Sequence, residues 1–559
     1  MRVVITLTML LGVSTLFGAK LNIIWNETRD VANNDCPFGI AVDSSKERCI
    51  YVAGKADSGS SSSQTLKYSD NGIYQWIKPF TASPTEACDV AALQDFAYVV
   101  GYRFNGENND LLVVKYGSNG DTVWSRRYDT GINEQATGAA VDGMNLYVTG
   151  FTSDLTGTNA NFLTMKYTLD GDTVWTRTYN VLGYDVSNAI TIDEDNVYVA
   201  GYTQNNTTDD FRVIKYSKQG SLQWNRTYDS GKDDEAQGIA IDNVGCIYVT
   251  GKASLSNIGD FYTVKIDDDG DLIWSKFYST PNDEGAQGVS FYKSRIYVTG
   301  YSKNQNDCDF LTIRYNPGGD SVWTSRYDSG DDDIAYDITT NSNYIYLTGI
   351  YDNGINSDFR VMKLEEKEVQ LSLPNGSEQL VIGSKYDIKW NWISDIDSVL
   401  LEFRNESTGD LDTIGVVPNT GAYSWTVPNK PGYLTKAFVS DPTDYLEVRD
   451  SSDSYFTIAS TGLEEAAPSA ATNLFVEQDA SNQVLIHYVI ANTSSNPQLR
   501  IFSADGRMLN DLTHKMLASK GTISWNFRDS KGDIMAKGVY FIELNATGYS
   551  CTAKVVKIQ

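Results

Sequence analysis

Between residues 238 and 278 four short runs follow one another: Gly238-Ile-Ala-Ile-Asp242, Cys246-Ile-Tyr-Val-Thr-Gly251, Asp260-Phe-Tyr-Thr-Val-Lys265 and Leu272-Ile-Trp-Ser-Lys-Phe-Tyr278. Each is rich in β-branched and aromatic residues, and turn-forming residues separate them, so they read as four strands. The unit recurs. Trp25, Trp76, Trp124, Trp175, Trp224, Trp274 and Trp323 return at intervals of about 50 residues, a period that marks a repeat architecture. Tyr-Val-x-Gly or a close variant keeps the same beat, ending at Gly54, Gly101, Gly150, Gly201, Gly251, Gly300 and Gly349. Seven copies of a four-stranded antiparallel unit predict an all-β chain whose large domain is a seven-bladed β-propeller.

Residue size along the unit sets its orientation. The first runs carry small residues, among them Gly138-Ala139-Ala140, Ala189, Gly238 and Gly288. They belong on the crowded axis. The tryptophan run belongs at the rim, where blades splay and bulk is needed. A short Gly-containing turn joins the third and fourth runs, as at Gly171-Asp172, Gly270-Asp271 and Gly319-Asp320, and suits a tight hairpin. The chain enters with a lone fourth-type run, Leu21 to Asn26, and the repeats end on a third-type run, Asp358 to Leu364, with no tryptophan run after it. The first strand is therefore expected to complete the last blade and remove the open sheet edges.

The pattern Asp-Phe-x-x-x-Lys-Tyr, Gly-x-x-x-Trp, Tyr-Val-Thr-Gly, as in Asp210 to Tyr216, Gly220 to Trp224 and Tyr248 to Gly251, resembles the seven-bladed β-propeller repeat (SBBP) family of secreted bacterial proteins. The resemblance spans about residues 21–365 and implies a fold, not an activity. Residues 366–459, with Leu373-Pro-Asn-Gly376, Ile388-Lys-Trp390, Tyr423-Ser-Trp425 and Tyr455-Phe-Thr-Ile458, resemble bacterial Ig-like modules of the Kre9/Knh-like kind. Residues 460–472 read as a linker. Residues 473–559, with Leu499 to Arg507, Gly521 to Trp525, Lys537-Gly-Val-Tyr-Phe541 and Lys554 to Lys557, resemble the C-terminal sorting domain of type IX secretion cargo and its FlgD-like Ig fold. The usual Asn-Pro near its start is replaced by Thr472-Asn-Leu-Phe475. The resemblance implies export-machinery partners and passage across an outer membrane.

At 559 residues the chain is too long for a single core. A net charge of −27 argues against nucleic acid, which needs a basic surface. Met1-Arg2, an apolar run to about Val13 and Gly18-Ala19 read as a signal peptide over residues 1–19, pointing to a secreted or cell-surface protein. No later stretch is apolar enough to span a bilayer as a helix. Cys36 and Cys88 take similar positions in neighbouring repeats. An oxidising compartment would permit a bridge between them, or between Cys36 and Cys49, and spacing leaves the pairing open.

The only histidines, His487 and His514, lie in the tail module. The propeller therefore has no histidine for a general base, a Ser-His-Asp triad or a zinc site. Glycine stands four residues before tryptophan (Gly72 to Trp76, Gly220 to Trp224), not three as in a sialidase Asp-box. Quinoprotein propellers use the same Gly-x-x-x-Trp spacing but carry eight blades and a vicinal cysteine pair, both missing here. Asp267-Asp-Asp-Gly-Asp271 only faintly resembles a calcium loop, without the distal Glu.

Acidic residues are the remaining lead. Asp110, Asp210, Asp260, Asp309 and Asp358 precede third strands, and Asp233, Asp234, Glu235, Asp331, Asp332 and Asp333 crowd the between-blade loops. Both loop sets leave a propeller on one face, where carboxylates suit Ca²⁺, a basic ligand or a sugar. The alternative role for the strand-start aspartates is to accept N–H bonds in their own turns. The expectation is a secreted or surface non-catalytic binding and scaffold protein with a glycan or protein ligand and no obligatory cofactor. Its competitors are a carbohydrate-active hydrolase or lyase using paired carboxylates on the loop face, and a purely structural envelope component.

Overall fold

The computed structural model describes residues 18–459 and 473–557, apart from 44–47, 58–60, 81–83, 182, 206–207, 256–257, 377, 394–395, 407, 444–447, 479–483, 490–496, 504–506, 517–519, 530, 532 and 547–548. The leader assigned to residues 1–19 lies outside the described residues up to position 17, and the linker 460–472 lies outside them entirely.

Residues 34–327 form six four-stranded antiparallel sheets in strict chain order, with blade limits at 34–80, 85–128, 133–179, 185–228, 233–278 and 284–327. The seventh blade takes Asp333–Asn341, Tyr344–Asp352 and Ser357–Leu373 from one end of the repeats and Gly18–Arg29 from the other. The closing strand pairs Ile23 with Leu364, Trp25 with Lys363 and Arg29 with Phe359. The chain start thus lies beside residues 358–364, as its tryptophan implied.

Each blade is sandwiched between neighbours, so its second and third strands are buried on both faces. Asn196–Gln204 and Asp209–Ser217 are almost continuously buried, whereas the outer strand Leu272–Tyr278 is largely exposed. All seven inner strands carry a bulge, for example between Ala136 and Gly138 and between Ala335 and Asp337. That bulge explains the repeating glycine of the second strand. A Cβ at Gly101, Gly150 or Gly201 would overlap the carbonyl oxygen of Glu86, Gln135 or Val186 on the bulged partner.

The tryptophans staple blade to blade. The indole N–H of Trp25, Trp76, Trp124, Trp175, Trp224 and Trp274 donates to the carbonyls of Asp70, Ser118, Leu169, Lys218, Asp268 and Pro317 at 2.8–3.1 Å. Each acceptor lies in the hairpin between third and fourth strands of the next blade. The same carbonyl also receives a lysine ammonium, as from Lys67, Lys115 and Lys363. The hairpin glycine lies against the indole; Gly171 and Gly220, both at positive φ, face Trp124 and Trp175.

The strand Ser357–Leu373 runs straight through position 365, and its end, Glu368 to Leu373, pairs with Lys385–Ile393. The expected boundary at 365/366 therefore falls inside a strand. The chain divides into two compact units: 1–378, 386–425 and 434–456 form the first, and 379–385, 426–433 and 457–559 the second. In the first, beyond the propeller, Ser398–Asn405 pairs with Asp410–Pro418 and with residues up to Ser440, and Phe403 packs on Trp425. In the second, a three-stranded and a four-stranded sheet share one core of Val484, Ile486, Leu499, Ile501, Trp525 and Ile542. His487 Nδ1 lies 2.8 Å from Thr522 Oγ1 there. Cys36 carries no disulfide, so neither permitted bridge, Cys36–Cys88 or Cys36–Cys49, is formed.

Candidate functional site

The two loop sets do emerge together. Loops after the second strand bond to loops between blades, as in Asn133 Nδ2 to the Asp154 carbonyl (3.0 Å) and Cys308 N to Asp332 Oδ1 (2.8 Å). The five strand-start aspartates, however, are turned inward. Asp110 and Asp309 are buried and ion-paired with Arg127 (3.2 Å) and Arg326 (2.7 Å). Asp260 pairs with Lys232 at 3.2 Å. Asp210 accepts from Asn205, and Asp358 from Asn353 and Asn356. Asp234 and Asp333, also buried, cap the Ser230 and Ser329 amides four residues earlier. Burial pushes the Asp234 carboxyl up to about 6 and raises Asp333 and the half-buried Glu235. Asp233, Asp331 and Asp332 remain exposed. In the Asp267–Asp271 turn, Asp267 Oδ1 accepts the Asp269 and Asp271 amides, and Asp268 pairs with Lys215 at 2.5 Å.

A second site lies on the axis. A cavity of about 350 Å³ is lined by the inner strands of all seven blades, including the bulge residues Asn188, Gln237, Gln287 and Tyr336. Two carboxylates line it, Asp89 from blade two and Asp337 from blade seven. Equivalent positions hold Gly39, Gly138, Ala189, Gly238 and Gly288. Each aspartate bridges to the next blade. Asp337 Oδ2 accepts the Ile40 amide (2.9 Å) and Asp89 Oδ2 the Ala139 amide (2.8 Å). Their remaining oxygens accept the amides of Ile338 and Val90. Gly39 lies between them, where a Cβ would overlap Asp89 Oδ1.

Deep placement disfavours charge on either group. Asp337 is pushed up to about 7, chiefly by desolvation, and Asp89 well above its ordinary value by desolvation and then by Asp337. Burial disfavours charge on both groups, and the neighbouring Asp337 disfavours it further on Asp89. Neither residue belongs to the repeating pattern. The signal was there: two aspartates interrupt a row otherwise made of Gly and Ala.

These features define an all-β repeat protein built on a seven-bladed propeller and followed by further β-sheets. No family model and no curated protein matches the chain. Solved structures similar to it include PorZ, an essential bacterial surface component of the type-IX secretion system of Porphyromonas gingivalis (10% identity, TM-score 0.26, 93% of this chain and 70% of that one). The phage phi92 endosialidase is another (10%, 0.37, 86% of each). A third is the lignostilbene dioxygenase of Pseudomonas brassicacearum (9%, 0.38, 63% and 93%). Among the described residues no helix is long and apolar enough to cross a membrane.

Proposed function

We propose that this chain is a secreted or cell-surface binding protein, non-catalytic, whose propeller takes a small polar ligand such as a glycan unit at its axial cavity. The two Ig-like modules act as spacer and export signal in this reading. The observation that carries it is the cavity itself: seven inner strands converge on a polar lining that includes Asn188, Gln237, Gln287 and two aspartates, Asp89 and Asp337. A few fixed polar groups in a concave site are what ligand orientation requires. The short, regular outer loops and the inward-turned aspartates favour a framework over an elaborated loop-face catalytic centre.

The buried aspartates Asp89 and Asp337 support a second reading, a glycan-active enzyme in which one carboxyl is kept protonated as an acid. Against it, both oxygens of each aspartate already accept backbone amides. A glycan-array screen of the full chain separates the readings. Saturable binding without turnover, weakened by Gln237→Ala or Gln287→Ala, is expected. Turnover abolished by Asp89→Asn would favour the enzyme, and no binding to any glycan would remove the proposed ligand class.

A further inference from the structure

The seven blade junctions repeat one local arrangement, and the junction between the last and first blades departs from it in a way that calls for a cation. At each junction three positions meet: the start of a third strand, the residue just after the outer strand, and the first or second inner-strand residue of the next blade. At the blade 2–3 junction these are Asp110, Asp129 and Glu134, at 4–5 Asp210, Asp229 and Asp234, and at the seam Asp358, Asp30 and Asp35. In each trio one oxygen per residue lies within 4.8 Å of the others.

Two devices normally neutralise such a cluster. One is a guanidinium: Arg127 lies 3.2 Å from both Asp110 and Asp129, and Arg326 sits 2.7 Å from Asp309. At the seam the closing strand places Thr28 there, opposite Arg360. Arg360 itself stacks on Tyr351 and Tyr327 at 4.3 and 5.4 Å. Among the described residues no lysine or arginine forms an ion pair with Asp30, Asp35 or Asp358.

The other device is a hydroxyl two residues past the outer-strand end. Thr130 covers Glu134, Ser230 covers Asp234, Thr280 covers Glu284 and Ser329 covers Asp333. Val31 takes that place at the seam. Asp35 is fully buried; its Oδ2 accepts the Val31 and Ala32 amides (2.6 and 3.3 Å), and its Oδ1 has no partner. At two junctions the hydroxyl shares the oxygen its own amide bonds, so Glu134 Oε2 and Asp333 Oδ1 also lack a hydrogen-bond partner, but Arg127 and Arg326 supply positive charge there; at the 3–4 junction, where Val181 stands, Asp185 Oδ1 lacks one too. There the flanking positions are the neutral Asn161 and Asn180. The 4–5 junction lacks the arginine too, having Thr227, but Ser230 occupies both oxygens of Asp234. Among the described residues the seam alone joins three carboxylates, an unpartnered buried oxygen and neither device.

We infer that the seam binds a divalent cation of the Ca²⁺ class through Asp30, Asp35 and Asp358, tying the chain start to the last blade. Hard oxygen donors with partial exposure at Asp30 suit Ca²⁺, which completes six to eight ligands with water. Burial and the neighbouring acids raise Asp35 to about 6 and also raise Asp358, as expected for carboxylates awaiting a counter-charge.

The test is calorimetric titration of chelator-treated full-length protein with CaCl₂ alone, with melting curves in parallel. The expected result is a site that Asp35→Asn and Asp30→Asn each weaken at least tenfold, with a Ca²⁺-dependent rise in melting temperature that both variants lose. Asp30 is exposed, so Asp30→Asn decides the matter even if Asp35→Asn fails to fold. Asp229→Asn, the equivalent change at the 4–5 junction, should leave that site intact. No Ca²⁺ uptake at millimolar concentration, or uptake unchanged by Asp30→Asn, would overturn the inference.

Discussion

Six of the seven tryptophan staples end on a backbone carbonyl, and the seventh ends on a side chain. Blade seven receives its outer strand from the chain start, so it has no hairpin between third and fourth strands to offer Trp323. Glu366 fills the gap. Its Oε1 accepts the Trp323 indole at 2.8 Å, and the same carboxylate accepts Arg314 and the Tyr297 hydroxyl. Arg314 replaces the lysine found at this position in the other blades and reaches Glu368 as well, at 2.6 Å. A carbonyl is present whatever the sequence, whereas a buried carboxylate must be matched by a buried cation. Closing a ring with its own terminus therefore exchanges a neutral, sequence-independent acceptor for a charged network.

The largest effect should come from breaking that network. Glu366→Ala leaves Arg314 buried without its nearest partner and should cost about 3–5 kcal/mol in a denaturation experiment. The next prediction concerns what all seven blades share. Gly150→Ala and Gly300→Ala each drive a methyl into a bulge carbonyl and should cost about 1–3 kcal/mol alike, wherever the blade lies in the ring. Equal costs would separate the repeat's symmetric part from its asymmetric seventh junction.

Replacing single staples sharpens the contrast. Trp124→Phe leaves Lys115 on the Leu169 carbonyl and should cost about 1 kcal/mol beyond lost packing. Trp323→Phe removes a bond to a charged acceptor, for which about 1.5–3 kcal/mol is expected. Indistinguishable values would mean that Glu366 acts as an ordinary carbonyl substitute.

The last effect is one of pH. Unfolded, Asp89 and Asp337 titrate as ordinary carboxyls; folded, burial raises Asp337 to about 7 and lifts Asp89 well above its ordinary value. The native state thus binds more protons between about pH 4 and 7, and stability falls as pH rises through that window. Asp337→Asn should flatten the fall in melting temperature between pH 5 and 8. An unchanged slope would mean the pair ionises freely.

What the sequence showed and hid follows from repetition. The Trp interval and the Tyr-Val-x-Gly beat are legible because every junction needs an indole and every bulge needs a glycine. The axial aspartates and the Glu366–Arg314 pair occur at positions that repetition fills otherwise, so a search for what recurs passes over them. The acidic ring was found as a pattern, but a pattern cannot tell an outward carboxylate from one turned in to meet Arg127 or Arg326. The 365/366 boundary was placed where the repeat stops, yet the strand Ser357–Leu373 continues because its far end finds a new partner in Lys385–Ile393. In each case the missing information was three-dimensional: which neighbour a side chain or strand meets.

Hydrogen exchange read by mass spectrometry over the first folded segment tests the closure most directly. If Gly18–Arg29 is the outer strand of blade seven, amides from Leu21 to Arg29 that face Phe359–Glu366 should be protected with the same free energy as those of residues 358–364. Exchange of this segment at the rate of an unstructured peptide, while residues 358–364 stay protected, would contradict the ring.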